Sequence, residues 1–169
     1  MGVLFVNSLR DYVGERFGEE DLRALPLELP VIGDPLGLYA LVDAASTRAG
    51  VERARFLEEF GEFFVSALAK QYGGLVQPSW TTLDLIEHVE RALLGATKPD
   101  VFDTTPLFTC VRLHDRAVSL KSRVPRGFCA LARGVIRGFA TCRDEEVRIE
   151  DAACMLHGDA ACELIVRRV

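Results

Sequence analysis

Residues 83–99 read LDLIEHVERALLGATKP, and this stretch restricts the fold more than any other. Leu85, Ile86, Val89 and Leu93 recur at helical spacing, while Asp84, Glu87, Glu90 and Arg91 cover the opposite side. Ser79 stands where an N-cap is wanted, Gly95 supplies a C-cap, and Pro99 stops the chain from continuing. A helix with one apolar face has to lie on an apolar partner, so the segments on either side must provide it.

The two sides differ in texture. Before this helix the pattern is helical. An apolar face built from Leu4, Leu9, Tyr12, Val13 and Phe17 predicts a helix over 3–17, and Gly18 ends it. Short and longer helices follow over 19–24, 38–49 and about 52–71. The proline-bearing loop of residues 26–37 lies among them. Phe56, Phe60, Phe63 and Phe64 fall near one side of the fourth helix, either as core or as the wall of a flat ligand pocket. After Pro99 the runs shorten and become β-rich: 107–113 and 117–121 around a His114-Asp115-Arg116 turn, a helix over 127–142, then strands over 147–155 and 161–166. Helices first and then β-β-α-β-β predict an α+β fold, a helical half packed on a small antiparallel sheet. One domain of 169 residues is expected, with a helical part over about 1–70 and a pocket-and-sheet part over about 71–169.

Charge and composition narrow the function. A net charge of −5 and a pI near 5.3 argue against nucleic acid or an anionic membrane as partner. No apolar run approaches a membrane span, and the N-terminus lacks a basic signal-peptide region, so a cytoplasmic protein is expected. There is no phosphate-binding glycine loop, nucleophile elbow or HExxH, and the three histidines have no paired acid at a recognisable spacing. A non-enzyme is the expectation.

Four separated segments carry a family resemblance. MGVLFVNSLRDYVGERFGEEDLRAL, YALVDAASTRAGVERARFLEEFGEFFVSALAKQY, GATKP and RGFCALARGVIRGFA resemble, in order and spacing, the motifs of the H-NOX (haem nitric oxide/oxygen binding) domains. The resemblance spans essentially the whole chain. It implies a helix-then-sheet fold and a sensor of diatomic gases through a buried haem b. Counting back from GATKP, the haem-ligating histidine of the family falls at Ile86, which cannot ligate iron. Pro99 matches the proline that presses on the haem. The propionate-binding Tyr-x-Ser-x-Arg motif becomes Leu120, Ser122 and either a displaced Arg126 or no arginine, and the distal tyrosine becomes Leu131. Ligation, propionate clamping and distal polarity are thus all altered. A chain that is haem-independent or holds haem weakly is expected, and any haem it held would favour NO over O₂. His88 and His114 are the alternative haem ligands; helical spacing turns His88 about 200° from Ile86, toward solvent.

The five cysteines give the second functional signal. Cys154 and Cys162 flank the last turn in CMLHGDAAC, and opposed positions on a hairpin bring side chains within about 5 Å. Resemblance adds that some H-NOX proteins hold zinc there with three cysteines and a histidine. Cys129 matches the first cysteine and Asp151 the histidine, with His157 as a rival fourth ligand. Strand parity puts Cys154 on the face opposite Val147 and Ile149 unless residues 151–153 contain a bulge. Zn²⁺ and a Cys154–Cys162 disulfide are both open, and Cys110 and Cys142 read as small apolar residues.

The expected function is a signalling sensor domain with a zinc–thiolate site suited to oxidants or reactive nitrogen species. A haem-based NO sensor with a substituted ligand is the alternative. The chain ends at Val169 after the last strand, so output is expected to pass to a separate protein. By family analogy this is a histidine kinase or a cyclic-di-nucleotide enzyme.

Overall fold

The computed structural model describes residues 2–23, 25, 35–88, 108–122 and 126–169. The helical half consists of α1 (Gly2–Phe17), α2 (Glu19–Arg23), α3 (Pro35–Ala49) and α4 (Arg53–Tyr72), followed by a 3₁₀ turn at Gly73–Leu75 and α5 over 82–88. The continuation of α5 to Gly95 and the GATKP loop with Pro99 lie outside the described residues. Then come β1 (Phe108–His114), β2 (Ala117–Ser122), α6 (Cys129–Arg143), β3 (Val147–Ala153) and β4 (Cys162–Arg168). The strands form one antiparallel sheet in the order β1-β2-β4-β3. This is the α+β arrangement read from the sequence.

Three helix starts differ from expectation by two residues or more, among them α6, which opens at Cys129 rather than at 127. α3 opens at Pro35, three residues early, because proline suits a first helical position where the missing N–H is not needed. α5 is capped by Thr81 rather than Ser79. The Thr81 N–H and hydroxyl both donate to the Asp84 carboxylate, at 2.9 and 2.8 Å, and the Asp84 N–H donates back to the Thr81 hydroxyl at 3.3 Å. That is a capping box built with aspartate.

The phenylalanines of α4 resolve as core. Phe56 and Phe60 are fully buried, and Phe5 and Tyr12 of α1 meet Phe60 edge-on or tilted at 5.1 and 5.6 Å. Pairs of this kind add about 0.5–1.5 kcal/mol each beyond area burial. The core continues through Ile86 of α5, Ile136 and Phe139 of α6, and Val118, Leu120, Leu164 and Val166 of the sheet.

α4 and α6 cross at very short range, and glycines make this possible. A methyl group placed on Gly61 would lie 2.6 Å from the Leu131 carbonyl oxygen. One on Gly138 would lie 2.6 Å from Cγ2 of Val65, and one on Gly134 would overlap the Glu58 carbonyl. The contact sets where α6 begins, and therefore where Cys129 sits. α5 is fastened to the sheet as well. Arg112 of β1 reaches Asp84 at 2.6 Å and pairs with Glu87 through Nε at 2.9 Å and again through Nη2. Burial opposes ionisation of Asp84, yet the Thr81 groups and Arg112 outweigh it and hold its carboxyl below the usual range.

Candidate functional site: a buried thiol cluster

Cys129 opens α6, Cys154 follows β3, and Cys162 opens β4. The parity question is decided by a bulge. Asp151 pairs with Leu164, but Ala153 pairs with Glu163, so Ala152 is an extra residue. The extra residue returns Cys154 to the inner face shared by Val147 and Ile149, and the next step out from the Ala153–Glu163 pair sets it opposite Cys162.

The turn between the two cysteines is tightly bonded. The Cys154 N–H donates to the Asp159 carboxylate at 2.7 Å, and the N–H groups of His157 and Asp159 donate to the Cys154 carbonyl at 2.9 and 3.3 Å. Gly158 takes φ of 104°, a conformation glycine adopts without strain. The Met155 N–H donates to the Cys162 sulfur at 3.4 Å.

The three sulfurs lie within 4.8 Å of one another, and all three residues are buried. Zinc–sulfur bonds of about 2.3 Å at a tetrahedral centre set sulfur–sulfur distances of about 3.8 Å, so a small contraction would seat the ion. Burial, followed by the adjoining Cys162 and Cys154, pushes the Cys129 thiol up to about 12. A metal ion at this cluster would supply the positive charge that a buried Cys129 thiolate needs.

Sequence reasoning put Asp151 in this cluster, and the structure puts its carboxylate elsewhere. Both oxygens accept from Nη1 of Arg133, at 2.7 and 2.9 Å. Arg133 also reaches Glu58 of α4 at 2.7 Å. This arginine lies one helical turn after Cys129, a spacing that could have flagged it as a neighbour of the site. His157 is exposed in the 3₁₀ turn three residues beyond Cys154.

The haem-related positions fall on several elements. Ile86 is 2% exposed and packed in the core. It has no donor atom, so the residues here do not fit a haem ligated at that position. Leu131 is half-buried on α6. Ser122 is buried and paired with Cys162 across the sheet, while Arg126 is exposed beside Tyr39 and Arg53. His114 is exposed at the β1–β2 hairpin, where its Nδ1 accepts from the Arg116 N–H at 3.3 Å.

His88 does not face open solvent. Its ring stacks on Trp80 with centroids 4.3 Å apart, and its Nδ1 lies 2.7 Å from the Asp84 carbonyl. Trp80 folds back from the start of α5 and covers the imidazole. Both residues line an apolar cavity of about 320 Å³ between the C-terminal halves of α4 and α6, walled by Val65, Leu68, Leu85 and Phe139. Cys142 and Arg143 also border it.

A protein-family comparison identifies the domain. The family model for Haem-NO-binding domains matches residues 35–151. The chain belongs to this family. An H-NOX protein from S. oneidensis in the Fe(II)NO ligation state is 20% identical, with a TM-score of 0.82 over 100% of this chain and 99% of that one. A point mutant of the T. tengcongensis H-NOX is 14% identical, with a TM-score of 0.80 over 99% and 97%. An oxygen-binding H-NOX domain related to soluble guanylate cyclases, in its oxygen complex, is 14% identical, with a TM-score of 0.78 over 99% and 95%. At these identities the likeness is one of fold. No curated protein matches significantly. Among the described residues, no helix is long and apolar enough to cross a membrane.

Proposed function

We propose that this domain is a haem-independent sensor whose signal is read by a zinc ion held by Cys129, Cys154 and Cys162. The observation that carries the reading is three buried sulfurs within 4.8 Å of one another. With Asp151 committed to Arg133, the fourth vertex falls to His157 or to solvent. An isoleucine at the family's haem-ligating position supports the haem-independent half of the reading.

The redox step uses the facing pair. A hydroperoxide takes one thiolate, Cys154 or Cys162, to its sulfenic acid, and its own O–O bond breaks. The second thiolate attacks that sulfur, forms the Cys154–Cys162 disulfide and releases hydroxide. The two sulfurs together lose two electrons, the peroxide gains two, and solvent protons make water. With two of its three thiolates joined in a disulfide the site would no longer hold zinc, and the Cys129 thiolate would take up a proton. The β3–β4 turn and the start of α6 then lose their common anchor. The change would pass to a separate signalling protein, a histidine kinase or a cyclic-di-nucleotide enzyme.

Metal analysis of the reduced protein tests this. One zinc per chain is expected, with loss of most of it in Cys154→Ser and retention in Cys142→Ser. Zinc far below stoichiometric in the unaltered protein sinks the reading. A second reading, a haem-based NO sensor, has one observation in its favour: the His88 imidazole borders the apolar cavity. With Nδ1 facing the Asp84 carbonyl, Nε2 is the nitrogen left to act as a ligand.

A further inference from the structure

Arg53 opens α4 with its guanidinium beside two rings, 4.7 Å from the centre of Tyr39 and 5.8 Å from that of Phe128. Those rings meet edge-on at 5.1 Å. Nη1 pairs with Asp43 at 3.2 Å. The remaining nitrogens, Nε and Nη2, are buried and have no hydrogen-bond partner among the described residues. These two flank one lateral edge of the guanidinium, the edge that takes both oxygens of a carboxylate or two oxygens of a phosphoryl group in parallel. Native structures rarely leave a buried donor on a charged group empty without a reason.

The surroundings point the same way. Arg53 lines a groove of about 440 Å³ together with Arg126, Gly127, Ala54 and Leu156. Tyr39 donates its hydroxyl to the Arg126 carbonyl at 2.6 Å, which fixes the turn that brings this second arginine in. Arg126 has no carboxylate partner among the described residues. Two acids stand nearby and both are engaged. Asp43 holds Nη1 of Arg53, and Glu52 accepts from the N–H groups of Ala54 and Arg55 at 3.1 Å each, which keeps its carboxylate on its own helix end. Leu156, 51% exposed, adds an apolar wall. Arg126 and Leu156 have exposed side chains that can reorient on a fast timescale, and an anion held at the buried nitrogens would bond away from bulk water, where charge-assisted bonds are strongest.

We propose that this groove is a binding site for a small organic anion, a carboxylate or phosphate ester, gripped bidentately by Arg53 and neutralised by Arg126. The site does not depend on zinc. Leu156 lies in the turn between Cys154 and Cys162, so an occupant rests directly on the segment that carries two of the thiols.

Calorimetry and thermal melting of the whole domain test the proposal, with inorganic phosphate and succinate as probes at fixed ionic strength. Saturable, one-to-one binding of at least one probe is expected. A response to phosphate alone names a phosphoryl ligand, and a response to succinate alone names a carboxylate. Arg53→Lys keeps the charge but removes the fork and should weaken binding by about tenfold or more. Arg126→Gln, at an exposed position, should weaken it several-fold with the melting temperature of the free protein unchanged. Absence of saturable binding by both probes overturns the proposal, as does binding that neither substitution alters. A response to haemin that needs Arg126, with none to the small anions, also overturns it, because Arg126 would then be serving haem propionates.

Discussion

The crossing of α4 over α6 permits a sharp test, because the same chemical change at two glycines should have opposite effects. At Gly134 a β-carbon would overlap the Glu58 carbonyl oxygen and lie 2.9 Å from the Gly61 Cα. Ordinary carbon contacts fall near 3.5–4.0 Å, so the helices must part by roughly an ångström or more. Neither obstacle is a flexible side-chain tip, so the strain cannot be relieved locally. Overpacking of this kind costs about 1–3 kcal/mol and at times more, against an alanine helix preference of about 1 kcal/mol. Because the clash is with backbone on both sides, the upper part of the range applies, and Gly134→Ala should destabilise by about 1–2 kcal/mol net. At this chain length that lowers the melting temperature by about 2–8 °C. Gly73, at φ −57° and ψ −30° with nothing within 4 Å of an added β-carbon, is the control. Gly73→Ala should be neutral or stabilise by up to about 1 kcal/mol. Paired thermal melts of the two variants decide the matter. A Gly134→Ala protein within about 0.5 kcal/mol of the parent would refute the close-crossing argument.

Two further outcomes follow from the geometry. Burial, and then the Glu59 carboxylate to which its hydroxyl donates at 3.2 Å, raise the Tyr12 phenol from 10.0 to about 12. In the unfolded chain the phenol ionises near 10.0, so the stabilisation is complete below that pH and is lost as pH rises through about 12. Alkaline unfolding should therefore be shallower in Tyr12→Phe, and an unchanged pH slope would contradict the assignment. Addition of haemin to the purified domain should give no sharp, stoichiometric Soret band; such a band, lost in His88→Ala, would instead favour the haem reading.

Much of the architecture is legible in the sequence, because hydrophobic period and glycine placement act locally. Gly18 ends α1, and the switch from helical to alternating texture beyond residue 107 marks the sheet. The thiol pair is legible too, since hairpin geometry makes Cys154 and Cys162 neighbours once the turn is recognised. What fails is anything set by long-range charge. Asp151 could be aligned with a metal ligand, but its partner Arg133 comes from a helix that sequence order alone does not lay over β3. The place of His88 depends on Trp80 folding back to cover it, which helical spacing cannot reveal. Arg53 looks like any basic residue at a helix start. Only the neighbouring rings and the empty nitrogen pair single it out. The bulge at Ala152 is an intermediate case, because parity demands it but nothing in Asp-Ala-Ala announces it.

The most direct test of the zinc–thiolate account is a titration of the reduced protein with hydroperoxide in the presence of a chromogenic zinc chelator. Free thiols are counted in parallel. The account predicts release of one zinc per chain in step with the loss of two thiols, and a Cys154–Cys162 disulfide in the peptide map. Release of no zinc, or oxidation confined to Cys110 and Cys142 with the metal retained, would contradict it.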